Sequence, residues 1–544
     1  MSNRHWQASY GDVSHEINAD AHASVTQMME EAMQRYAERP AFRCAGQTLS
    51  YADVDRLSRD FAAYLQNKLG VKKGDRIAVM TPNLLAFPIA FLGIIRAGAA
   101  QVNVNPLYTA HELEHQLNDA GVQTIVVFSG VSGTVAAVKD KTQLKTIITH
   151  GVGDGSGKAL PSPPVAAGLA GSTTLAEALA EGAKLPFTPV ALKGDDLLFL
   201  QYTGGTTGLS KGAALSHRNL VANVQQFKAF MPADMLQGQQ VIVTAIPLYH
   251  VFALMVNFIT YFSIGADNWL VPNPREFDAF IDTMKAARPT VFMGVNTLYA
   301  GLVAHPRGKE IDWSRLQLAG GGGAAVMRAV SDKWQAMTGI IIHEGYGLSE
   351  TSPVVSFNPM TVTEFSGTTG LPMPSTDIKL LDDAGNAVGL GEAGEIVVKG
   401  PQVMSGYWNK PEANEAAFTA DGYFRTGDVG VFDQRGYLKI VDRKKDMIIV
   451  SGFNVYPNEI EDVATGCPGV AECACIGVPD AKSGEAVKLF VVKAPGATLD
   501  ADQLLAYCRE RLTGYKMPRL VSFVEALPKS TVGKILRREL RDLS

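Results

Sequence analysis

The chain has 544 residues, too many for one hydrophobic core, so two or more domains are expected. Hydrophobic residues make up 46% and charged residues 19%, a balance that excludes general disorder. The formal net charge of −5 leaves no basic excess to neutralise a polyphosphate backbone, which excludes nucleic acid as the expected partner.

In chain order, residues 1–20 are polar and lack the apolar stretch of a secretory signal, so a cytoplasmic protein is expected. Residues 76–80 read as a strand, 84–96 as a helix, 101–104 as a strand, 113–120 as a helix and 124–128 as a strand. That alternation is the pattern of an α/β domain. The Gly-, Pro-, Ser- and Ala-rich stretch 151–172 reads as a surface loop or subdomain joint. An apolar strand over 197–202 leads into a glycine-rich run, and then a helix with Leu220, Val224 and Phe227 on one face. Residues 235–266 carry no Lys, Arg, Asp or Glu and are long enough to span a bilayer. Pro247, His250 and Asn257 interrupt them, so the reading here is a strand (241–246), a turn, and a buried core helix over 251–264.

Near residue 440 the character changes. Residues 437–441 read as a strand, and Asp442-Arg443-Lys444-Lys445-Asp446 follows as five charges in a row, by default a solvated face. Strands over 472–478, 486–492 and 520–524, with helices over 501–512 and 535–543, make a small α+β unit. The boundary is placed at Asp442, giving domains 1–441 and 442–544. Cys44, Cys467, Cys473, Cys475 and Cys508 have neither zinc spacing nor a nearby His, and read as small buried side chains in a reducing compartment.

The run after the 197–202 strand is Thr203-Gly204-Gly205-Thr206-Thr207-Gly208-Leu209-Ser210-Lys211-Gly212. Glycines let backbone N–H groups turn toward an anion, hydroxyls add donors, and a lysine adds charge. A Walker loop fails, because Ser210 precedes Lys211 instead of following it. Gly208 to Gly212 satisfies Gly-x-Ser-x-Gly, but a nucleophile elbow is a tight strand-to-helix turn, and Ser210 lies far past the strand end. A Thr/Gly nucleotide loop uses every residue of the run.

With Tyr202 in front, this run resembles the signature of the adenylate-forming enzymes, which include acyl-CoA synthetases, luciferases and peptide-synthetase adenylation domains. The resemblance covers nearly the whole chain and is strongest to bacterial long-chain fatty-acyl-CoA synthetases, in residues 421–445, 450–461 and 512–517 and in Pro247-Leu248-Tyr249-His250-Val251-Phe252-Ala253-Leu254. It implies an α/β fold: a large multi-subdomain N-terminal adenylation domain with a smaller, mobile α+β C-terminal domain. In Gly345-Tyr346-Gly347-Leu348-Ser349-Glu350-Thr351 it implies that Tyr346 stacks on adenine, Ser349 meets the α-phosphate and Glu350, with Thr203, helps hold Mg2+. It also implies that Gly322, Gly323 and Ala324 approach the adenine and acyl carbonyl beside Glu344, and that Asp428 of Thr426-Gly427-Asp428 accepts from the ribose. Ile440 and Arg443 complete the nucleotide site. Asp442 is the implied hinge, Lys534 of Gly533-Lys534 the mobile catalytic lysine, and Gly452 with Phe453 the wall of the coenzyme A tunnel.

The activity so implied is ATP-dependent: a fatty acid becomes an acyl adenylate, and the acyl group passes to coenzyme A. Tyr249, His250 and Leu254 are the expected acyl-pocket residues, with His250 shaping the carboxylate end. Leu254 stands where some relatives carry a gating tryptophan, and Gly204 where many have a hydroxyl. Alternatives within the same chemistry are a medium-chain or aryl acid as substrate, or a carrier protein as acceptor; a non-catalytic sensor and a hydrolase are the alternatives from other classes. By resemblance alone, a homodimer and loose attachment to the inner face of the cell membrane are expected.

Overall fold

The computed structural model describes residues 4–203, 210–451, 453–480, 482–530 and 533–543. Two mainly parallel sheets form the body of the large domain. One runs Gly406–Tyr407, Lys211–Ser216, Leu197–Thr203, Ala100–Asn103, Arg76–Met80, Thr124–Phe128, Thr146–His150, Thr173–Thr174. The other has at its centre the parallel strands Ile342–Gly347, Leu318–Gly321, Val291–Gly294, Val241–Thr244, Asp267–Leu270 and Pro40–Cys44. Such strands are covered on both faces, which is why they read as continuous apolar runs with no alternation.

Helix Ala86–Arg96 is buried along its whole length. Its one charge, Arg96, sits at the C-terminal end, where a cation complements the helix dipole. Arg96 bonds to Glu30 Oε1 at 3.0 Å, Asp55 Oδ1 at 2.8 Å and Ser58 Oγ at 2.9 Å, which offsets its burial.

The long uncharged stretch is a strand, Val241–Thr244, and a helix inside the core, as its interruptions predict. The helix departs from expectation in kind: Ala253–Thr260 has the wider i→i+5 hydrogen-bonding pattern of a π-helix and every residue in it is buried. Asn257 is partly satisfied in this dry setting: its Nδ2 donates to Thr244 Oγ1 at 3.2 Å and its backbone carbonyl accepts from Asn268 Nδ2 at 2.9 Å, while its Oδ1 is buried without a hydrogen bond among the described residues. Among the described residues no helix is long and apolar enough to cross a membrane.

A second difference lies after the glycine-rich run. The expected helix is preceded by strand Lys211–Ser216, antiparallel to Leu197–Thr203 with Tyr202 opposite Gly212 and Thr203 opposite Lys211; the helix, His217–Ala229, comes next. Lys-Gly-Ala-Ala-Leu-Ser lacks β-branched residues and so carries little strand signal. The run therefore joins two strands of a hairpin, a geometry that excludes the strand-to-helix nucleophile elbow.

An antiparallel sheet of Asp377–Leu381, Gly394–Lys399, Phe424–Phe432 and Leu438–Arg443 completes the large domain. The last of these strands pairs Asp442 with Val429 and Arg443 with Asp428. Beyond it the chain builds a smaller α+β domain on the long antiparallel pair Val470–Asp480 and Gly484–Lys493, with helices Pro457–Thr465 and Ala501–Arg509 on its core. Cys467, Cys473, Cys475 and Cys508 lie in that core, and all five cysteines are free and buried.

Candidate active site

The carboxyl ends of strands Val291–Gly294, Leu318–Gly321 and Ile342–Gly347 lie side by side, the usual position for a ligand in an open parallel sheet. The turn containing Gly322, Gly323 and Ala324 leaves the second of them. A Cβ on Gly322 would sit 3.3 Å from the Gly345 carbonyl and 3.5 Å from the Phe252 ring, so this turn touches both the Tyr346 strand and the start of the π-helical segment. Behind it Glu344 is buried, with the Val326 N–H donating to Oε1 at 3.2 Å. Burial pushes its carboxyl up to about 8, so it is protonated at neutral pH.

Glu344→Gln should therefore keep ATP affinity within about threefold at pH 7, because the amide copies the neutral acid. It should also change the pH dependence of stability. An acid whose folded pKa is raised binds an extra proton in the native state between its unfolded value and about 8, so native stability falls as pH rises through that window. Thermal melting of wild type should drop relative to the Gln variant from pH 5 to pH 8; parallel curves would contradict the assignment.

Tyr346 donates its hydroxyl to Asp428 Oδ2 at 2.6 Å. Arg443, opposite Asp428 across the strand pair, places Nε 3.7 Å from Oδ1. Thr426 Oγ1 fixes this turn by accepting from the Asp428 N–H at 3.1 Å and donating to the Ile396 carbonyl at 2.7 Å. Ile440, half-buried, pairs with Gly430 on the same two strands, past an irregularity in their register. Gly345 and Gly347 lie in the Tyr346 strand opposite Phe357 and Val354. Ser349 opens the short turn Ser349–Thr351 that carries Glu350.

Glu350 is buried, and burial holds its carboxyl above the usual range. Tyr407 donates to its Oε1 at 2.9 Å, while the Lys211 Nζ stands 5.1 Å over the Tyr407 ring. Tyr407 is a site residue that sequence reasoning missed; a tyrosine in a two-residue strand, remote in sequence, carries no local signal. Thr203 and Lys211 face each other at the base of the hairpin. Gly204, Gly205, Thr206, Thr207 and Gly208 lie outside the described residues, as does Gly452.

The C-terminal domain contributes from the opposite side. Ser530 and Lys534 close a tight turn: Ser530 Oγ accepts from the Lys534 N–H at 3.1 Å, and the Ser530 N–H donates to the Lys534 carbonyl at 2.7 Å. Gly533 has φ +76°, and a Cβ there would lie 2.4 Å from Thr297 Oγ1, so this turn rests directly on helix Asn296–Ala304 of the large domain. Burial, then the neighbouring Arg443 cation, push the Lys534 ammonium down to about 7, while Asp428 acts in the other direction. His250 is pushed down to about 4 by burial and, secondarily, by Lys534, and its Nδ1 accepts from the Phe252 N–H at 3.3 Å. The Lys534 charge is thus felt by Asp428, Arg443 and His250 of the large domain, on which its turn rests.

Tyr249 and Leu254 are buried beside His250, the Leu254 N–H donating to the His250 carbonyl at 3.0 Å. Asp442 is buried too: it accepts from the Arg443 and Asn458 N–H groups at 2.7 and 3.0 Å, and burial pushes its carboxyl up to about 6. Phe453 is 56% exposed and stacks on Tyr515 at 4.8 Å, on the small domain only.

Residues 29–408 match the family model for AMP-binding enzymes, and residues 459–534 match that for the AMP-binding enzyme C-terminal domain. A long-chain-fatty-acid–CoA ligase of Salmonella typhimurium is 47% identical over 549 residues, covering 99% of this chain and 98% of the relative. Among solved structures, an anthranilate CoA ligase in complex with anthranoyl-AMP superposes with a TM-score of 0.88 at 25% identity, covering 97% of this chain and 99% of that one. ATP-bound MatB from Rhodopseudomonas palustris gives 0.83 at 34% identity over 96% of this chain and 99% of that one. With its nucleotide-type cleft at the strand ends and a second domain closing over it, the chain belongs to the family of AMP-binding enzymes.

Proposed function

We infer that this protein is an ATP-dependent long-chain-fatty-acid–CoA ligase, which converts a fatty acid, ATP and coenzyme A into acyl-CoA, AMP and pyrophosphate. The observation that carries the chemistry is the seating of the Lys534 turn on Thr297 of the large domain, where the lysine charge acts on Asp428, Arg443 and His250. In this reading a carboxylate oxygen attacks the α-phosphorus of ATP, the bond to the bridging oxygen breaks, and pyrophosphate leaves. Lys534, Lys211 and the hydroxyl of Thr203 meet the charge that builds on the phosphate oxygens. Asp428 accepts from the ribose, and Tyr346, tethered to it, fixes the sugar against the base. His250, neutral because its pKa is so low, shapes the carboxylate end of the acyl site without drawing the acid into an ion pair.

The residues fit a magnesium ion. Glu350 is a buried carboxylate that accepts from the Tyr407 hydroxyl, and burial holds its pKa up, a setting in which an added cation is favourable. Among the described residues no group of three His, Cys, Asp or Glu side chains forms a protein cage. One carboxylate plus phosphate oxygens is the ligand set magnesium prefers, and the ion would neutralise charge on the triphosphate.

For the second half-reaction the small domain, from Asp442 onward, is proposed to rotate so that Lys534 withdraws and the segment of Gly452 and Phe453 reaches the cleft. The thiol sulfur then attacks the acyl carbon and the carbon–oxygen bond to AMP breaks. The exposed Phe453 is consistent with a surface that is used in another orientation. A homodimer and attachment to the inner face of the cell membrane are proposed from the family resemblance alone.

Substrate class is tested by CoA-dependent AMP formation across saturated acids from acetate to palmitate, with a cinnamate. Each buried CH₂ gains about 0.8 kcal/mol, so a maximum is expected near twelve to eighteen carbons, roughly where an apolar channel is filled. A maximum at short or aryl acids would keep the chemistry and overturn the substrate.

A further inference from the structure

Helix Ala110–Ala120 lies outside the site described so far, yet two of its residues, one turn apart, reach both ends of the glycine-rich hairpin. His115 Nε2 lies 2.9 Å from the Ser210 carbonyl, so the imidazole donates its N–H there. Four residues on, on the same helix face, Asp119 accepts the Tyr202 hydroxyl at 2.7 Å. Tyr202 immediately precedes Thr203, and Ser210 immediately precedes Lys211; the two bonds hold the last residue before the run and the residue next to Lys211 within it.

Asp119 has a second partner. Lys410 Nζ forms an ion pair with its Oδ1, and the Asp119 side chain is only 10% exposed. Lys410 follows strand Gly406–Tyr407, which pairs with Lys211–Ser216 on the side away from Leu197–Thr203. The Trp408 N–H adds a bond to the Gly212 carbonyl at 2.8 Å. Asp119 therefore ties the strands that flank Lys211–Ser216 on its two sides, and the second of those strands carries Tyr407, the donor to Glu350.

Access to this carboxylate depends on a glycine. A Cβ on Gly212 would lie 2.9 Å from the Tyr202 ring, so the ring crosses directly over Gly212 to reach Asp119. Tyr202, Gly212, His115 and Asp119 are thus one mutually adjusted unit.

We propose that His115 and Asp119 are positioning residues for the ATP triphosphate: they fix the spacing and twist of the hairpin strands that carry Thr203 and Lys211, and through Lys410 they set Tyr407 against Glu350. This rests on the adenylation reading above. Its distinctive consequence follows from chemistry: ATP carries β- and γ-phosphates and acyl-AMP does not. Loss of the clamp impairs adenylation and spares thioester formation from a preformed acyl adenylate.

The test compares wild type, His115→Ala, His115→Gln, Asp119→Asn and Asp119→Ala in three measurements: palmitate-dependent ATP–pyrophosphate exchange, CoA-thioester formation from synthetic palmitoyl-AMP, and thermal melting. His115→Ala should raise KM for ATP and lower exchange by about tenfold in kcat/KM, with the second half-reaction within twofold of wild type. His115→Gln, which keeps a donor at similar reach, should recover most of the loss. Asp119→Asn, which still accepts from Tyr202 but loses the charge facing Lys410, should fall between wild type and Asp119→Ala. Parallel loss of both half-reactions together with a lower melting temperature would reduce the helix to a structural support and overturn the proposal, as would unchanged exchange in His115→Ala and Asp119→Ala. Absence of exchange in wild type would instead remove the adenylation reading itself.

Discussion

Lys534→Ala should lower palmitate-dependent ATP–pyrophosphate exchange by about 10²–10³-fold, the range typical of removing one oriented donor from a developing oxyanion. Thioester formation from preformed palmitoyl-AMP should stay within about twofold of wild type. The asymmetry follows from where the lysine sits. Its turn rests on Thr297 of the large domain, and its charge bears on Arg443, Asp428 and His250, a position that serves phosphate chemistry. Equal loss in both half-reactions would contradict this division.

The same lysine predicts a pH limb. The ammonium is the active form, and in the free enzyme burial and Arg443 hold it down to about 7. Because kcat/KM reports the free enzyme, kcat/KM for ATP should decline as pH rises above about 7. Lys534→Arg, whose guanidinium cannot be deprotonated, should lose this limb even with reduced activity. Glu344, pushed up to about 8, is the competing group, and the limb should survive in Glu344→Gln.

The second large effect is expected three residues further on. Arg537 bonds to Glu461 Oε1 and Oε2, both at 2.9 Å, and to Asn458 Oδ1 at 2.8 Å. It also stands 3.8 Å from Asp442 and 3.7 Å from Asp446. The three carboxylate side chains are 3%, 1% and 8% exposed for Glu461, Asp442 and Asp446, so one guanidinium compensates three charges that water does not reach. Arg541 adds a bond to Asp446 at 2.8 Å. Removing one partner of a buried ion pair costs about 3–5 kcal/mol, because the other charge is stranded.

Arg537→Ala should therefore lower the denaturant midpoint of the C-terminal domain and expose its segments to protease first. Arg537→Lys should recover only part, since an ammonium cannot make the two-pronged contact to Glu461. A midpoint unchanged in Arg537→Ala would show that the cluster is hydrated in solution. The charge run at Asp442 is thus no solvated face: two of its members, Asp442 and Asp446, are buried in this cluster and connect the chain crossing to the turn that carries Lys534.

The elements legible in the sequence are those whose chemistry is local. Strands such as Arg76–Met80 and Thr124–Phe128 announce themselves as short apolar runs, and Tyr346, Glu350, Asp428, Arg443 and Lys534 each stand in a compact motif. Their convergence needed the fold, since the strand carrying Tyr346 and the turn carrying Asp428 belong to different sheets. Strand Lys211–Ser216 was hidden because its small residues serve the close approach of Tyr202, which no propensity encodes. The i→i+5 bonding of Ala253–Thr260 was hidden because an all-buried helix shows no hydrophobic period to measure. Tyr407 and Asp119 act across 57 and 83 residues of sequence respectively, distances at which a single sequence gives no pairing signal.

The most direct test of the central claim is the fate of a labelled carboxylate oxygen. Palmitate carrying ¹⁸O in its carboxylate is turned over with ATP and coenzyme A, and the products are read by mass spectrometry. Attack of the carboxylate on the α-phosphorus predicts one ¹⁸O in AMP and none in pyrophosphate. Label in inorganic phosphate with ADP as the nucleotide product would place the attack on the γ-phosphorus and contradict an acyl adenylate.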